Sequence, residues 1–232
     1  MNVVFGAMTI GKPGTAAILD VFQQHGQSEI DTARIYGQGS SEEYLGNVEW
    51  QRRDLRMDTK LYLTDGKSMG YLTPDIYTHK PEDLRDGLKR SLEALTTNKA
   101  DMYRSISFEV TLCEVDKLRK EGLFDRFGIT NYMSWEVAQM CEICEKNRWI
   151  KPSVCQNDLY FDALDIIRHA AKKYGLTEAE CARRWLVHHS KLKKAHGDAI
   201  IIGASSAAQL EQNLALDAAW QHVQGAVPRY FH

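Results

Sequence analysis

Short apolar runs alternate with longer stretches of helical periodicity along this chain. Residues 3–7, 28–31, 55–60, 101–103, 124–129, 153–156 and 199–202 read as strands. Residues 15–25, 41–45, 81–95, 111–121, 134–147, 160–174, 177–189 and 207–215 read as helices, and the tail beyond 216 as helix giving way to irregular chain. The helix over 81–95 carries Leu84, Leu88, Leu92 and Leu95 at helical spacing, with Pro81 early, where its missing N–H costs nothing. Gly122 and Gly175 close two helices. Ser134 is expected to cap the helix it opens, and Thr177 with Glu180 forms a capping box.

Strands alternating with helices of this length predict βαβ units and a parallel sheet, either open and doubly wound or closed as a barrel. A GxGxxG turn after the first strand would favour the open sheet. The turn here reads Gly6-Ala7-Met8-Thr9-Ile10-Gly11. The expected fold is therefore α/β, a (β/α)8 barrel of the TIM type, as a single domain over residues 1–232. Only seven strands are counted, the fourth of them clipped, so the barrel is expected to be incomplete against the usual ~250 residues.

Composition narrows the function classes. The 232 residues include 29 Lys and Arg against 31 Asp and Glu, with 44% hydrophobic and 26% charged residues, an ordinary globular balance. A net charge of −2 gives no footprint for nucleic acid. No apolar run approaches the ~18–20 residues of a membrane span. The start, MNVVFGAMTIGKPG, has no basic stretch leading into a long apolar core, and five cysteines are few and odd in number. Reduced thiols and a cytoplasmic address are the expectation. The CxxC at Cys141 and Cys144 lies within a helix without a second pair, and reads as packing rather than redox or metal chemistry. His188, His189 and His196 lack ligand spacing.

In a barrel the chemistry sits where strands end. Asp31, Lys60, Asn131, Gln156, Ser205 and Ser206 fall there, with Tyr36 just after the second strand. A tyrosine has an ordinary pKa of about 10 and needs a neighbouring cation to give up a proton near neutrality. A lysine held by an aspartate can supply that cation. Ser205 and Ser206 precede a helix whose first N–H groups and positive dipole end suit a phosphate. Gln209, Gln212 and Asn213 follow at spacings that place them on one face of that helix.

The segment EIDTARIYGQGSSE over 29–42 resembles the signature of the aldo-keto reductases, and more narrowly their aflatoxin-aldehyde (succinic semialdehyde) reductase branch, fungal members above all. The resemblance continues through Asp58-Thr-Lys60, DGKS at 65–68, GLFDRFGITNY at 122–132, Trp135-Glu-Val-Ala, His188-His189, Ala195-His-Gly-Asp198 and IGASSAAQLEQN at 202–213, in family order. It implies NADPH-dependent reduction of an aldehyde or ketone without a metal. Tyr36 would then donate the proton, Lys60 would lower its pKa, and Asp31 would hold Lys60. Asn131 and Gln156 would bind the nicotinamide carboxamide. Ser205, Ser206 and Gln209 would meet the 2′-phosphate, with Gln212 and Asn213 at the adenine. The implied partner is a small carbonyl substrate, and the implied assembly a homodimer. The resemblance also implies a tailoring step on a polyketide or terpenoid, or detoxification of reactive aldehydes.

The chain departs from the family pattern twice. Asp101-Met-Tyr103 runs straight into Arg104-Ser-Ile-Ser, without the histidine that ends the family's fourth strand. After Gln156 the chain passes through Asn157-Asp-Leu-Tyr160 to a late helix, where the family has a helix, its seventh strand and a substrate loop. Both gaps favour an alternative reading, a truncated paralogue with little or no turnover that binds nucleotide or a partner.

Overall fold

A computed structural model describes residues 1–11, 14–62, 64, 76–78, 80–104, 109–156 and 162–215. The DGKS segment, Tyr160, and the tail beyond 216 with Tyr230 and Phe231 lie outside them. The strands are β1 (Asn2–Gly6), β2 (Glu29–Asp31), β3 (Arg56–Lys60), β4 (Ala100–Arg104), β5 (Phe124–Thr130), β6 (Val154–Gln156) and β7 (Ala199–Ile202). The helices are α1 (Thr15–Gln24), α2 (Ser40–Asn47), α3 (Pro81–Ala94), α4 (Glu109–Lys120), α5 (Ser134–Asn147), α6 (Asp162–Tyr174), α7 (Glu178–His188) and α8 (Ala207–Ala215).

All strand pairs are parallel, in the order β6-β5-β4-β3-β2-β1-β7. Sequential order with the last strand returning beside the first is the order of a barrel. Among the described residues β6 and β7 are not paired with each other, so the arrangement is a partial (β/α)8 barrel. Its seam falls where the seventh strand was expected to be missing. The fourth strand is less clipped than its sequence suggests. It continues to Arg104, as long as β1 and β3, and registers Lys60 opposite Arg104.

Period-two alternation sorts the strand residues. Phe5, Ile30 and Met57 face outward, packing with Ile18, Leu19 and Phe22 of α1. Their neighbours Glu29, Asp31, Arg56, Asp58 and Lys60 face the interior. The barrel is therefore charged inside. Arg126 of β5 reaches Glu29 at 2.9 Å and Asp58 at 3.5 Å, and Arg56 reaches Glu29 at 2.7 Å. Burial alone would raise the Glu29 pKa, but the two guanidiniums hold it below the usual carboxylate range. A second apolar layer joins α3, α4 and α5 to β4 and β5, including the expected leucines at 84, 88 and 92.

Two local details refine the sequence reading. Ser134 is the first residue of α5 rather than its cap; Met133 takes the cap position because the Glu136 carboxylate accepts its N–H at 2.8 Å. Thr177 caps α7 as expected, accepting the Glu180 N–H at 3.1 Å.

Helix α2 approaches the end of α3 through Gly46. A Cβ there would lie 2.2 Å from the Ala94 carbonyl oxygen and 3.1 Å from the Leu95 carbonyl carbon. Trp50, just beyond, is buried and donates its indole N–H to the Leu95 carbonyl at 2.9 Å. Backbone cannot yield as a side-chain tip can. Gly46→Ala is therefore expected to destabilise the fold by ~1–3 kcal/mol. Urea unfolding measures this, and an unchanged midpoint would contradict the close packing.

Candidate active site

The ends of β2 and β3 bring Asp31 and Lys60 into direct contact, Nζ to Oδ2. Both side chains are buried, with exposures of 2% and 0%. A charge pair this far from water persists only when each partner satisfies the other. The Lys60 Nζ also lies 5.1 Å from the centroid of the Tyr36 ring. Asp31, Lys60 and Tyr36 thus form one cluster at the barrel mouth. A cation held beside a phenol favours its ionised form, which makes the phenol a better acid.

The turn that presents Tyr36 is tightly held. The Tyr36 N–H donates to the Ala33 carbonyl at 3.0 Å. Arg34 donates to the Gly39 carbonyl at 3.2 Å and lies flat over that glycine. Gly39 has φ +96°, and a Cβ there would meet the guanidinium at 2.8 Å. Only glycine suits both demands. Ser41 ties the start of α2 to the Ala7 carbonyl at 2.7 Å.

Asn131 and Gln156 meet across the mouth ends of β5 and β6, where the Asn131 N–H donates to the Gln156 carbonyl at 3.0 Å. Asn131 has φ +63°, a left-handed conformation asparagine tolerates better than most residues. Its side chain is exposed at the mouth. The Gln156 Oε1 is buried and has no hydrogen-bond partner among the described residues. A buried amide oxygen left this way costs ~1–3 kcal/mol. It fits a ligand that brings an N–H, such as a carboxamide.

The third group surrounds the start of α8. Here two of the local N–H groups already have partners. Ser205 donates both its N–H, at 2.8 Å, and its hydroxyl, at 2.9 Å, to the Gln209 Oε1. Gln209 returns its N–H to the Ser206 Oγ at 3.1 Å. Ser206 caps α8 through its hydroxyl while the Gln209 oxygen covers Ser205, so an anion would have to displace the Gln209 oxygen to reach Ser205. Asn213 turns back to the Gly203 carbonyl at 3.2 Å, and Gln212 is exposed.

None of the five cysteines is joined in a disulfide. Burial pushes the Cys144 thiol up to about 11, which suits packing rather than nucleophilic chemistry.

Sequence reading missed the residues that support the cluster from behind. Glu42 of α2 is buried, accepts the Thr59 hydroxyl at 2.5 Å, and lies 3.7 Å from Arg34. Burial raises its pKa, and the hydrogen bond from Thr59 offsets only part of that. The charged positions of β2 and β3 were detectable, since 29, 31, 56, 58 and 60 alternate with apolar or hydroxyl residues. Glu42 shares the buried face of α2 with Ser41, Leu45 and Gly46, but a charged residue on that face does not announce its burial.

Comparison with known proteins agrees with this architecture. The aldo/keto reductase family profile matches residues 2–161, stopping just past β6. The aldo-keto reductase pigE of Monascus ruber is 35% identical over an alignment of 332 positions covering 99% of this chain and 97% of that protein. The 232 residues cannot fill those 332 positions, so about a hundred face gaps in this chain. An aldo-keto reductase of Pseudocercospora fijiensis is 36% identical over 85% of this chain and 89% of its own. Human aflatoxin B1 aldehyde reductase member 2 is 28% identical over 98% and 89%. With the strand order and the matched profile, these relatives establish that the chain belongs to the aldo/keto reductase family of oxidoreductases, in its aflatoxin-aldehyde-reductase-like branch.

Proposed function

We propose that this chain reduces an aldehyde or ketone to the alcohol with NADPH, using Tyr36 as the proton donor. The buried Lys60–Asp31 pair set against the Tyr36 ring carries the reading. Reduced nicotinamide, when bound, supplies the hydride that the carbonyl carbon receives. Tyr36 gives its hydroxyl proton to the carbonyl oxygen, so the substrate gains two electrons and two hydrogens in all. Lys60 stabilises the phenolate left behind, and Asp31 keeps Lys60 charged and aimed. Asn131 and Gln156 would hold the carboxamide, which supports the orphaned Gln156 oxygen as a recognition group. Ser205, Ser206 and Gln209 would take the 2′-phosphate, and Gln212 and Asn213 the adenine.

The substrate is a small-molecule carbonyl compound, and the setting a fungal tailoring step on a polyketide or terpenoid, or aldehyde detoxification. The protein acts in the cytoplasm, as a homodimer. Among the described residues no helix is long and apolar enough to cross a membrane.

A second reading has an observation of its own. The lack of pairing between β6 and β7 among the described residues, and about a hundred positions without counterpart, favour a paralogue that binds nucleotide or a partner without turnover. Titration with NADPH, followed by tryptophan fluorescence against NADH as control, tests the cofactor half of the proposal. Saturable binding that prefers NADPH is expected. Absence of binding by folded protein would refute it. Gln156→Leu sharpens the test. It is expected to leave the melting temperature unchanged or raised, since it removes an orphaned polar atom, and to weaken NADPH binding about tenfold. A variant that melts lower and binds equally well would contradict the role of Gln156.

A further inference from the structure

We infer that Glu42 is a positioning residue that holds Tyr36 and Lys60 in register with each other. This rests on the proton-donor reading above. Tyr36 and Lys60 arrive on different elements, one on the turn after β2 and the other at the end of β3. Their relative placement needs something that grips both. Glu42 does so from the helix side of the barrel wall. Its Oε1 accepts the hydroxyl of Thr59, the residue immediately before Lys60, at 2.5 Å. Its Oε2, buried and without a hydrogen bond among the described residues, faces the guanidinium of Arg34 at 3.7 Å, and that guanidinium donates to the Gly39 carbonyl across the Tyr36 turn. Thr59 also approaches the Ser91 hydroxyl of α3 at 3.5 Å, which backs the contact from the next helix.

Glu42 is fully buried. A carboxyl so far from water costs stability unless its contacts are worth keeping. An apolar side chain at this place on α2 would pack without that cost. What the carboxyl adds is a fixed acceptor for Thr59 of β3 and a second oxygen facing Arg34, one oxygen toward each element that delivers the chemistry. Proton transfer is sensitive to placement, and an error of about 1 Å can cost about a hundredfold in rate.

The ionisation of Tyr36 is a readout independent of turnover. It is isolated as the difference in phenolate absorbance between each protein and its Tyr36→Phe counterpart. In the wild type the Tyr36 midpoint is expected below the ordinary value of about 10, because Lys60 favours the phenolate. In Glu42→Ala it is expected to move upward, toward that ordinary value, as Lys60 and Tyr36 lose register. The sign discriminates. Deleting a nearby negative charge without moving anything would shift the midpoint downward. The same variant is expected to lose about a hundredfold in kcat with KM for NADPH unchanged. Thr59→Val removes only the hydroxyl end of the contact and is read the same way, which serves if Glu42→Ala does not fold.

An unchanged or lowered midpoint in folded Glu42→Ala, or in Thr59→Val if the first does not fold, overturns the positioning role while leaving the proton-donor reading intact. A wild-type midpoint at or above about 10 overturns the proton-donor reading itself, and the role of Glu42 with it.

Discussion

Tyr36→Phe is expected to abolish carbonyl reduction, with kcat falling by about a hundredfold to ten-thousandfold, the range for removing a positioned general acid. Phenylalanine keeps the aromatic ring beside the Lys60 ammonium, which in the wild type lies 5.1 Å from the ring centroid. The apolar body of the side chain and its attraction for the cation therefore survive. Only the transferable proton is lost. The variant should fold, melt within a few degrees of the wild type, and bind NADPH with unchanged affinity. Rates measured under saturating cofactor make the comparison. Turnover equal to the wild type would mean that another group supplies the proton.

The largest effect on stability is expected from Lys60→Met. The substitution strands Asp31, 2% exposed, with its principal cation removed. Breaking a buried ion pair from one side costs about 3–5 kcal/mol. For a chain of this size each kcal/mol lowers the melting temperature by roughly 2–4 °C. Replacing Asp31 with Leu in the same chain removes the stranded charge, and the double variant should recover much of the loss. Both variants should be without turnover, since Tyr36 loses the cation that favours its phenolate. Denaturant unfolding of the two variants and the wild type reads the comparison. A single variant within ~1 kcal/mol of wild type would show that water reaches Asp31 and that the pair is not sealed from solvent.

These effects follow from residues the sequence already marked. Strand order and most element positions were legible because apolar periodicity sets which face is buried. Leu84, Leu88 and Leu92 illustrate the helical case, and Phe5, Ile30 and Met57 the strand case. Asp31, Tyr36 and Lys60 were legible from a local signature, and their proximity followed from parallel strands ending at one mouth. Other features depend on atoms distant in sequence. That Glu42 would meet Thr59 requires α2 to pack on β3, which no local spacing reports. Arg126 crosses the interior to Glu29, 97 positions away in the chain. The end of β4 was misjudged because strand length is set by pairing. Arg104 registers with both Lys60 and Gly128, and that ladder carries the strand past Tyr103. The contacts at the start of α8 were likewise not legible. The Gln209 side-chain oxygen accepts the N–H of Ser205, four residues earlier, and the Ser206 hydroxyl accepts the N–H of Gln209, contacts no local spacing announced.

This chain, whose β6 and β7 are not paired with each other among the described residues, is expected to transfer a proton from Tyr36 to the oxygen of the carbonyl being reduced. Following NADPH oxidation by the purified protein against a panel of aldehydes and ketones, with the alcohol quantified alongside, tests it most directly. Carbonyl-dependent loss of NADPH is expected, with one alcohol formed per NADPH consumed and no such loss with Tyr36→Phe. A folded protein that binds NADPH but consumes none with any carbonyl in the panel would contradict it and favour the non-catalytic paralogue.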